Sequence, residues 1–188
     1  MNGREILVGV TGGIAAYKTA ALVSQLVQSG SFVTVVMTAS AEKFIGAATF
    51  AALTGRPVST AVFDDARHPL GAHIELAQRA ELLCVAPATA DFLAKCAYGL
   101  ADDLLSTLYL CFRGPVIVAP AMNVQMWEKP AVQRNVQQLR SDGISIVDPE
   151  EGWLSCRQVG AGRMAAAERI MEAIAAGLPQ FEARTQRI

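Results

Sequence analysis

Short apolar runs recur along this chain, separated by helix-like patterns. Four of them contain almost no polar residue and span residues 6–10, 32–37, 82–86 and 116–119. Because such runs are apolar on both sides of an extended strand, they are typical of a parallel sheet that is covered by helices on each face. Residues 144–147 offer a last strand and residues 58–63 a weaker one.

Amphipathic patterns between these runs predict helices. They fall at about residues 14–28, 41–53, 89–97, 102–112, 130–142 and 165–176. The alternation of strand and helix predicts an α/β fold, in which a doubly wound, mainly parallel sheet of the Rossmann or flavodoxin-like type carries helices on both faces. We assign residues 1–178 to a single domain and residues 179–188 to a polar C-terminal tail.

Composition and charge narrow the possible functions. Sixteen Lys and Arg against seventeen Asp and Glu leave a net charge of −1, which offers no field to attract nucleic acid. Hydrophobic residues make up 52% of the chain, and this surplus indicates apolar contacts between the subunits of a homo-oligomer. The one uncharged stretch long enough for a membrane span, residues 19–41, is interrupted by polar residues, so no membrane partner is predicted.

The N-terminus and the cysteines bear on location and on metal binding. Residues 1–5 lead into an apolar strand without the architecture of a signal peptide, which indicates a cytoplasmic protein. The four cysteines form no Cys-x-x-Cys pair, so neither a disulfide framework nor a metal site is predicted. We expect Cys84, Cys96 and Cys111 to be core residues, because the first lies in an apolar strand and the others lie in predicted helices.

The loop after the first strand is a candidate phosphate site, because ligands of doubly wound sheets bind beyond the carboxyl ends of the strands. This loop reads Thr11-Gly12-Gly13-Ile14, and its glycines would let backbone N–H groups approach an anion at the start of the next helix. It lacks the lysine of a triphosphate loop and the third glycine of a dinucleotide fingerprint, so it favours a mononucleotide. A tight turn with glycines for packing alone is the alternative interpretation.

Three other strand ends carry small or hydroxyl residues. Thr38 and Ser40 follow the second strand, where they would either cap a helix or reach the same phosphate. Residues 87–91 follow the third strand and would let a flat ring approach the backbone, and residues 120–123 follow the fourth. Together the four strand ends predict one ligand-binding crevice.

Cys156 and His73 are the remaining candidates for chemistry. Cys156 lies in a glycine-rich stretch, residues 152–163, that predicts a mobile loop; it is either an incidental cysteine or a reactive one. His73 precedes an apolar stretch near the third strand and is either a structural histidine or a base.

Several segments of the chain resemble the homo-oligomeric flavin-containing cysteine decarboxylases. They are residues 11–18, 73–76, 86–91 and 120–127 and the stretch around Cys156. The Pro-Ala-Met-Asn-x-x-Met-Trp segment and the Cys-x-x-x-Gly-x-Gly-Arg pattern are specific, whereas the Gly-Gly loop alone is a weak signal. The resemblance covers nearly the whole chain and is closest to bacterial members that act in coenzyme A synthesis.

This resemblance implies an FMN-dependent lyase that converts 4'-phosphopantothenoylcysteine to 4'-phosphopantetheine. Oxidation of the cysteine moiety by the flavin creates an electron sink, carbon dioxide leaves, and the product is reduced again. FMN would lie between the subunits of a homo-trimer, and trimers of many bacterial members assemble into a dodecamer. A phosphopantothenate–cysteine ligase domain is often fused to such enzymes, so the chain is expected to be either a free-standing decarboxylase or a fragment.

The resemblance also implies roles for particular residues. His73 would be the base beside the flavin, Asn123 would hold the substrate carboxylate, and Cys156 would donate a proton from a closing loop. Met126 would shape the substrate pocket, and no metal is implied. Cofactor contacts are expected at Gly12, Gly13, Ile14, Thr38, Ser40, Ala88, Thr89, Ala90, Asp91 and Ala121.

Two residues depart from the family pattern. Arg157 stands where many relatives have glycine after the cysteine, and this difference bears on how the loop closes. Asp91 stands where asparagine is common in the flavin-contacting turn, and this difference bears on the contact with the flavin ring.

Other functions remain open from the sequence. A peptidyl-cysteine decarboxylase would act on the C-terminus of an antibiotic precursor, and a flavin prenyltransferase would share the fold without needing the cysteine loop. A non-catalytic flavin-binding regulatory subunit is the alternative of a different class. Such relatives carry long acidic extensions, and no acidic stretch of that kind occurs in these 188 residues.

Overall fold

The secondary structure comes from a computed structural model, which describes residues 1–63, 66, 68–155 and 157–178. Within these residues the strands are Glu5–Val10 (β1), Phe32–Met37 (β2), Leu82–Ala88 (β3), Val116–Pro120 (β4), Ser145–Ile146 (β5), Glu150–Trp153 (β6) and Val159–Arg163 (β7). The helices are Ala16–Gln28 (α1), Ala47–Thr54 (α2), Ala72–Arg79 (α3), Ala90–Tyr98 (α4), Leu104–Cys111 (α5), Val124–Trp127 (α6), Pro130–Ser141 (α7) and Ala167–Gly177 (α8). The predicted tail, residues 179–188, lies outside the described residues, and so does Cys156.

Five parallel strands form one sheet in the order β2-β1-β3-β4-β5. Because β1 pairs with β2 on one side and with β3 on the other, the order of the strands reverses between β1 and β3. This is the order of flavodoxin-like sheets, in which ligands bind at the point of reversal. The fold class predicted from the sequence is confirmed.

Both faces of the sheet are buried, which explains why its strands are apolar without alternation. Ile6 and Val8 of β1 pack into one core with helices α1, α2 and α8. Leu7, which points to the opposite face, packs into a second core with helices α3, α4, α5 and α7. None of the helices in the described part of the chain is long and apolar enough to cross a bilayer.

Side-chain caps start helices α4 and α5 at the carboxyl edge of the sheet. Thr89 Oγ1 accepts a hydrogen bond from the Phe92 N–H at 3.3 Å and begins α4. Asp103 Oδ1 accepts from the Ser106 N–H at 2.8 Å, and Ser106 Oγ accepts from the Asp103 N–H at 3.1 Å, which completes a capping box for α5. The caps therefore fix where these helices leave the candidate ligand site.

Three local predictions differ from the structure. The helix predicted over residues 41–53 is divided into a 3₁₀ turn at Ala41–Lys43 and α2, because the backbone at Gly46 is extended. The weak strand predicted over residues 58–63 is reduced to a single bridge between Val36 and Ser59. Helices α3 and α6 were not predicted; α6 has only four residues, too few to display a clear helical period.

The glycine-rich stretch predicted as a mobile loop contains an antiparallel hairpin, β6–β7. A Cβ atom on Gly162 would collide with the carbonyl oxygen of Met122, and one on Gly160 would lie 2.9 Å from Val124 Cγ2. The carbonyl of Gly162 also accepts a hydrogen bond from the Met122 N–H at 3.0 Å. The glycines of β7 therefore serve close packing against the segment between β4 and α6.

The cysteines of the described region divide by burial. Cys84 and Cys96 are buried as predicted, and burial raises the pKa of each thiol to about 12. The prediction of a core position for Cys111 is wrong, because this residue is exposed. It is the last residue of α5, beyond the buried Leu104, Leu105 and Leu108, and its Sγ donates to the carbonyl of His73 at 3.3 Å.

Gly9 of β1 packs directly against Leu105 of α5, since a Cβ atom on Gly9 would lie 2.6 Å from Leu105 Cδ1. We expect Gly9→Ala to lower the free energy of unfolding by about 1–3 kcal/mol through overpacking. Leu105→Ala should lower it by about 2–5 kcal/mol through the cavity that it leaves. The double variant should lose roughly 1 kcal/mol less than the sum, because the new methyl group fills part of that cavity. Urea unfolding of the four proteins measures this coupling.

Leu108→Ala is the matched control, because Leu108 is fully buried on the same helix. Its cost should add to that of Gly9→Ala within about 0.5 kcal/mol. Full additivity between Gly9→Ala and Leu105→Ala would contradict the packing described here.

Candidate functional site

The loops after β1 and β3 are joined where their strands end side by side. The buried hydroxyl of Thr11 donates to the carbonyl oxygen of Pro87 at 2.7 Å and accepts from the Thr89 N–H at 3.0 Å. Thr19 of α1, also buried, donates its hydroxyl to the carbonyl oxygen of Ala86 at 2.7 Å. Two hydroxyls thus fix the start of α1 against the end of β3.

Gly12 and Gly13 are glycines for different structural reasons. A Cβ atom on Gly12 would collide with Ser40, so this glycine allows the loops after β1 and β2 to approach. A Cβ atom on Gly13 would meet nothing nearer than Thr89 Cγ2 at 3.8 Å. Packing therefore accounts for Gly12, whereas the absence of a side chain at Gly13 keeps space open above the loop.

Two cavities open at this edge of the sheet. The larger one, called the hydroxyl cavity, has a volume of about 460 Å³ and is lined by threonine and serine residues that follow β1, β2 and β3. Six of the residues expected to contact the cofactor line it, namely Gly12, Thr38, Ser40, Thr89, Ala90 and Asp91. The ends of β1, β2 and β3 therefore meet in one concave site. The prediction that the end of β4 joins them differs from the structure, because residues 121–123 line a second cavity.

The smaller one, called the Asn123 cavity, has a volume of about 200 Å³. It lies between the start of α1, the segment after β4 and the hairpin β6–β7. Asn123 lines it together with Ile14 and Ala121, which were expected to contact the cofactor. Trp153 and Leu154 supply part of an otherwise mainly apolar wall.

Asn123 is held by the helix that it caps. Its Oδ1 accepts a hydrogen bond from the Gln125 N–H at 2.7 Å and so begins α6. This bond orients the side-chain amide, whose NH₂ group carries the donors that a carboxylate accepts. Met126, on the same short helix and 46% exposed, lines the hydroxyl cavity instead of the Asn123 cavity. Helix α6 thus separates the two sites.

Lys95 of α4 forms ion pairs with three carboxylates that line the hydroxyl cavity. Its Nζ lies 2.9 Å from Asp102 and 3.3 Å from both Asp91 and Asp103. Burial lowers the pKa of Lys95, but hydrogen bonds to the three carboxylates outweigh it and raise the pKa above its ordinary value. Asp91, where the family pattern has asparagine, therefore presents a carboxylate that is already paired.

The structure does not bring every expected residue to these cavities. His73, near the start of α3, lines neither of them, and its Nδ1 is buried without a hydrogen-bond partner in the described part of the chain. Gly13 and Ala88 also line neither cavity; Ala88 is fully buried and its carbonyl accepts from the Ala121 N–H at 3.1 Å. The position of Cys156 lies outside the described residues.

Three cations of the site were missed by the sequence reasoning. Lys18 and Arg163 line the Asn123 cavity, and Lys95 lines the hydroxyl cavity. The signal for two of them was present, because Lys18 ends the segment 11–18 and Arg163 ends the Cys-x-x-x-Gly-x-Gly-Arg pattern. Among the described residues, no group of three or more His, Cys, Asp or Glu side chains is arranged to hold a metal ion.

Comparison with known sequences gives consistent matches. A profile of the family described as Flavoprotein matches residues 1–178. The coenzyme A biosynthesis bifunctional protein CoaBC of Bacillus subtilis (strain 168) is 46% identical over 172 residues, which cover 92% of this chain and 42% of that protein. CoaBC of Mycobacterium tuberculosis is 49% identical over 167 residues, which cover 89% of this chain and 40% of that protein. The chain thus spans about two fifths of the length of these relatives.

Comparison with solved structures extends the similarity to three dimensions. A mutant PPC decarboxylase complexed with pantothenoylaminoethenethiol has a TM-score of 0.81 at 28% identity, and the match covers 93% of this chain and 98% of that one. The FMN-dependent cysteine decarboxylase SpaF has a TM-score of 0.78 at 36% identity, and the match covers 91% of this chain and 97% of that one.

Replacement of Thr11 tests the junction between β1 and β3. Thr11→Val keeps the shape of the side chain but leaves the Thr89 N–H without its acceptor, so we expect the free energy of unfolding to fall by about 1–3 kcal/mol. Chemical denaturation measures this loss. Thr49→Val is the matched control, because Thr49 is exposed on α2, and it should change the free energy by less than about 0.5 kcal/mol. Equal effects of the two changes would contradict the role of the Thr11 hydroxyl.

Proposed function

Because the chain belongs to the Flavoprotein family, whose profile covers residues 1–178, we propose that it is an FMN-dependent phosphopantothenoylcysteine decarboxylase. The reaction converts 4'-phosphopantothenoylcysteine to 4'-phosphopantetheine in coenzyme A synthesis. The observation that carries the proposal is the capped Asn123, which lines a mainly apolar cavity beside a second, hydroxyl-lined one. The similarity to CoaBC proteins and to a PPC decarboxylase supports this choice of substrate.

The hydroxyl cavity fits FMN. Its volume of about 460 Å³ falls within the usual range for small-molecule sites, and the hydroxyls of Thr38, Ser40 and Thr89 offer hydrogen bonds to a phosphate or to a ring. When bound there, FMN supplies a reversible hydride acceptor, so that the decarboxylation needs no external oxidant.

The chain's own residues bind and orient the substrate. The NH₂ group of Asn123 donates to the substrate carboxylate and fixes the carbon–carbon bond that breaks. His73 takes up the thiol proton, and Cys156 returns a proton to the sulfur-bearing product after carbon dioxide has left. These roles are the ones that the family resemblance implies, and the orientation of the Asn123 amide by the Gln125 N–H supports the first of them.

A second copy of the chain completes the site in this proposal. His73 lines neither cavity of its own chain, whereas the helices around it expose apolar side chains, Ile74 at 38% and Leu110 at 50%. Such a surface is suited to a subunit contact that would bring His73 to the FMN of a neighbour. The proposed assembly is a homo-trimer, alone or within a dodecamer. The bifunctional CoaBC relatives support a phosphopantothenate–cysteine ligase domain or chain as a further partner.

A peptidyl-cysteine decarboxylase is the second candidate. The observation that favours it is the higher sequence identity to SpaF, a cysteine decarboxylase, than to the solved PPC decarboxylase. Both candidate enzymes decarboxylate a terminal cysteine. They differ in the group attached to that cysteine, which is phosphopantothenate in one substrate and a peptide in the other. Mass spectrometry of products formed from 4'-phosphopantothenoylcysteine and from a peptide ending in cysteine separates them, and we expect loss of carbon dioxide from the first substrate.

Asn123→Asp tests the carboxylate site without disturbing α6, because aspartate caps a helix as well as asparagine does. The new carboxylate repels that of the substrate, so kcat/KM should fall about 100-fold or more while FMN stays bound. Gln125→Glu places the same charge on the exposed neighbouring position and should change kcat/KM less than about threefold. Retained activity in Asn123→Asp would remove this role from Asn123.

Mixed oligomers test whether His73 serves a neighbouring chain. His73→Asn and Asn123→Asp should each be inactive alone, yet their co-expression should restore about a quarter of the sites, where an intact His73 meets an intact Asn123. Co-expression of either variant with the double variant forms no intact site and is the control. Absence of recovery in the first mixture would place both residues within one chain's site.

A further inference from the structure

The Asn123 cavity carries an excess of positive charge. Among the described residues that line it, the two charged side chains are Lys18 of α1 and Arg163 of β7. No carboxylate lines the cavity within that part of the chain, although the whole chain has a net charge of −1. Two cations held in a mainly apolar cavity repel each other, and an anionic ligand would relieve this repulsion.

The ammonium group of Lys18 makes no hydrogen bond or ion pair with any residue that the structure describes. Burial lowers the pKa of its ammonium group, and the positive charge of Arg163 lowers it further, against an opposing effect of Glu150. The two cations are therefore close enough to act on each other. An anion bound beside Lys18 would favour the charged form of this lysine.

Arg163 is held in place from outside the cavity. Its Nη2 donates to Glu150 Oε2 at 2.9 Å, and Glu150 also accepts from the Ala166 N–H at 3.0 Å and lies 3.5 Å from Arg169 Nη1. Lys18, Arg163 and Arg169 thus bring three positive charges near Glu150, which carries one negative charge. Local positive charge is left uncompensated. The Nε of Arg163 is buried and has no hydrogen-bond partner among the described residues.

We propose that Lys18 and Arg163 bind the phosphate group of the substrate. The inference rests on the proposed function, because it places the two ends of that substrate in one cavity, its carboxylate at Asn123 and its phosphate at the cation pair. A phosphate monoester carries a charge of about −1.5 to −2 at neutral pH, which balances the excess. Tyr17, Trp153 and Leu154 line the same cavity and would contact the uncharged chain between the two ends.

FMN is a second source of a phosphate monoester. Most of the expected cofactor contacts line the hydroxyl cavity, whereas Asn123, the expected partner of the substrate carboxylate, lines the cavity that holds Lys18 and Arg163. The observations therefore favour the phosphate of the substrate. The test must nevertheless report on both ligands.

The experiment compares kcat/KM for 4'-phosphopantothenoylcysteine with kcat/KM for pantothenoylcysteine, which lacks the phosphate. In the FMN-loaded protein the ratio should favour the phosphorylated substrate, and Lys18→Gln should reduce this ratio about 10- to 100-fold. Lys18→Arg keeps the charge and should retain most of the preference. Lys129→Gln, which removes an exposed lysine at the start of α7, is the control and should leave the ratio unchanged.

Three outcomes would overturn the proposal. They are equal use of both substrates by the unaltered protein, an unchanged ratio in Lys18→Gln, and loss of FMN from Lys18→Gln with the substrate preference retained. The last result would assign the cation pair to the phosphate of the cofactor. Thermal unfolding and bound FMN are measured for each variant, so that a folding defect is recognised.

A failure of the proposed function is distinguishable from a failure of this inference. If the protein decarboxylates neither substrate, calorimetric titration with 4'-phosphopantothenate and with pantothenate still tests the cation pair. Tighter binding of the phosphorylated compound by the unaltered protein, lost in Lys18→Gln, would support the phosphate site. Equal affinity for the two compounds would overturn it.

Discussion

The pairing of β1 with β3 is the constraint on which the rest of the structure depends. These neighbouring parallel strands send their following helices to opposite faces of the sheet, α1 to one core and α4 to the other. The segments that follow β1 and β3 must therefore separate, and a crevice opens between the two loops. The hydroxyl of Thr11 spans that separation and gives both loops a defined position.

The crevice is divided into two environments of different charge. On one side of α6, Lys95 pairs with three aspartates, which together leave an excess of negative charge, and the hydroxyls remain to meet a ligand. On the other side, Lys18 and Arg163 face a mainly apolar space without a carboxylate among the described lining residues. In our proposal this short helix allows FMN and an anionic substrate to lie side by side without sharing the same contacts.

The sequence predicted the sheet well for a physical reason. A strand that is buried on both faces must be apolar throughout, and this pattern is visible locally, as in residues 6–10 and 82–86. The glycines of residues 152–163 form no local pattern of this kind that would predict their structure. The function of Gly162 in β7 depends on the carbonyl of Met122, a contact that exists only in the folded chain.

The candidate site was predicted in part for the same reason. The strand ends that meet in the hydroxyl cavity follow from topology alone, which the apolar runs already define. Lys18 and Arg163 each end a recognisable motif, but these motifs lie far apart in the sequence, and only the fold brings the first helix and β7 to the same cavity. The position of His73 depends on neighbouring chains in our proposal, and no pattern within one sequence records such a contact.

The hairpin β6–β7 forms one wall of the Asn123 cavity and is a sheet of its own. Its two strands pair only with each other and rest on the segment before α6 through small glycine contacts, so the five-stranded sheet does not depend on them. Trp153 and Arg163 belong to this wall, so a change in the hairpin would alter the Asn123 cavity while the pairing of the five central strands is kept. Under the proposed function, a change in which thiols are accepted would then begin at this appended unit.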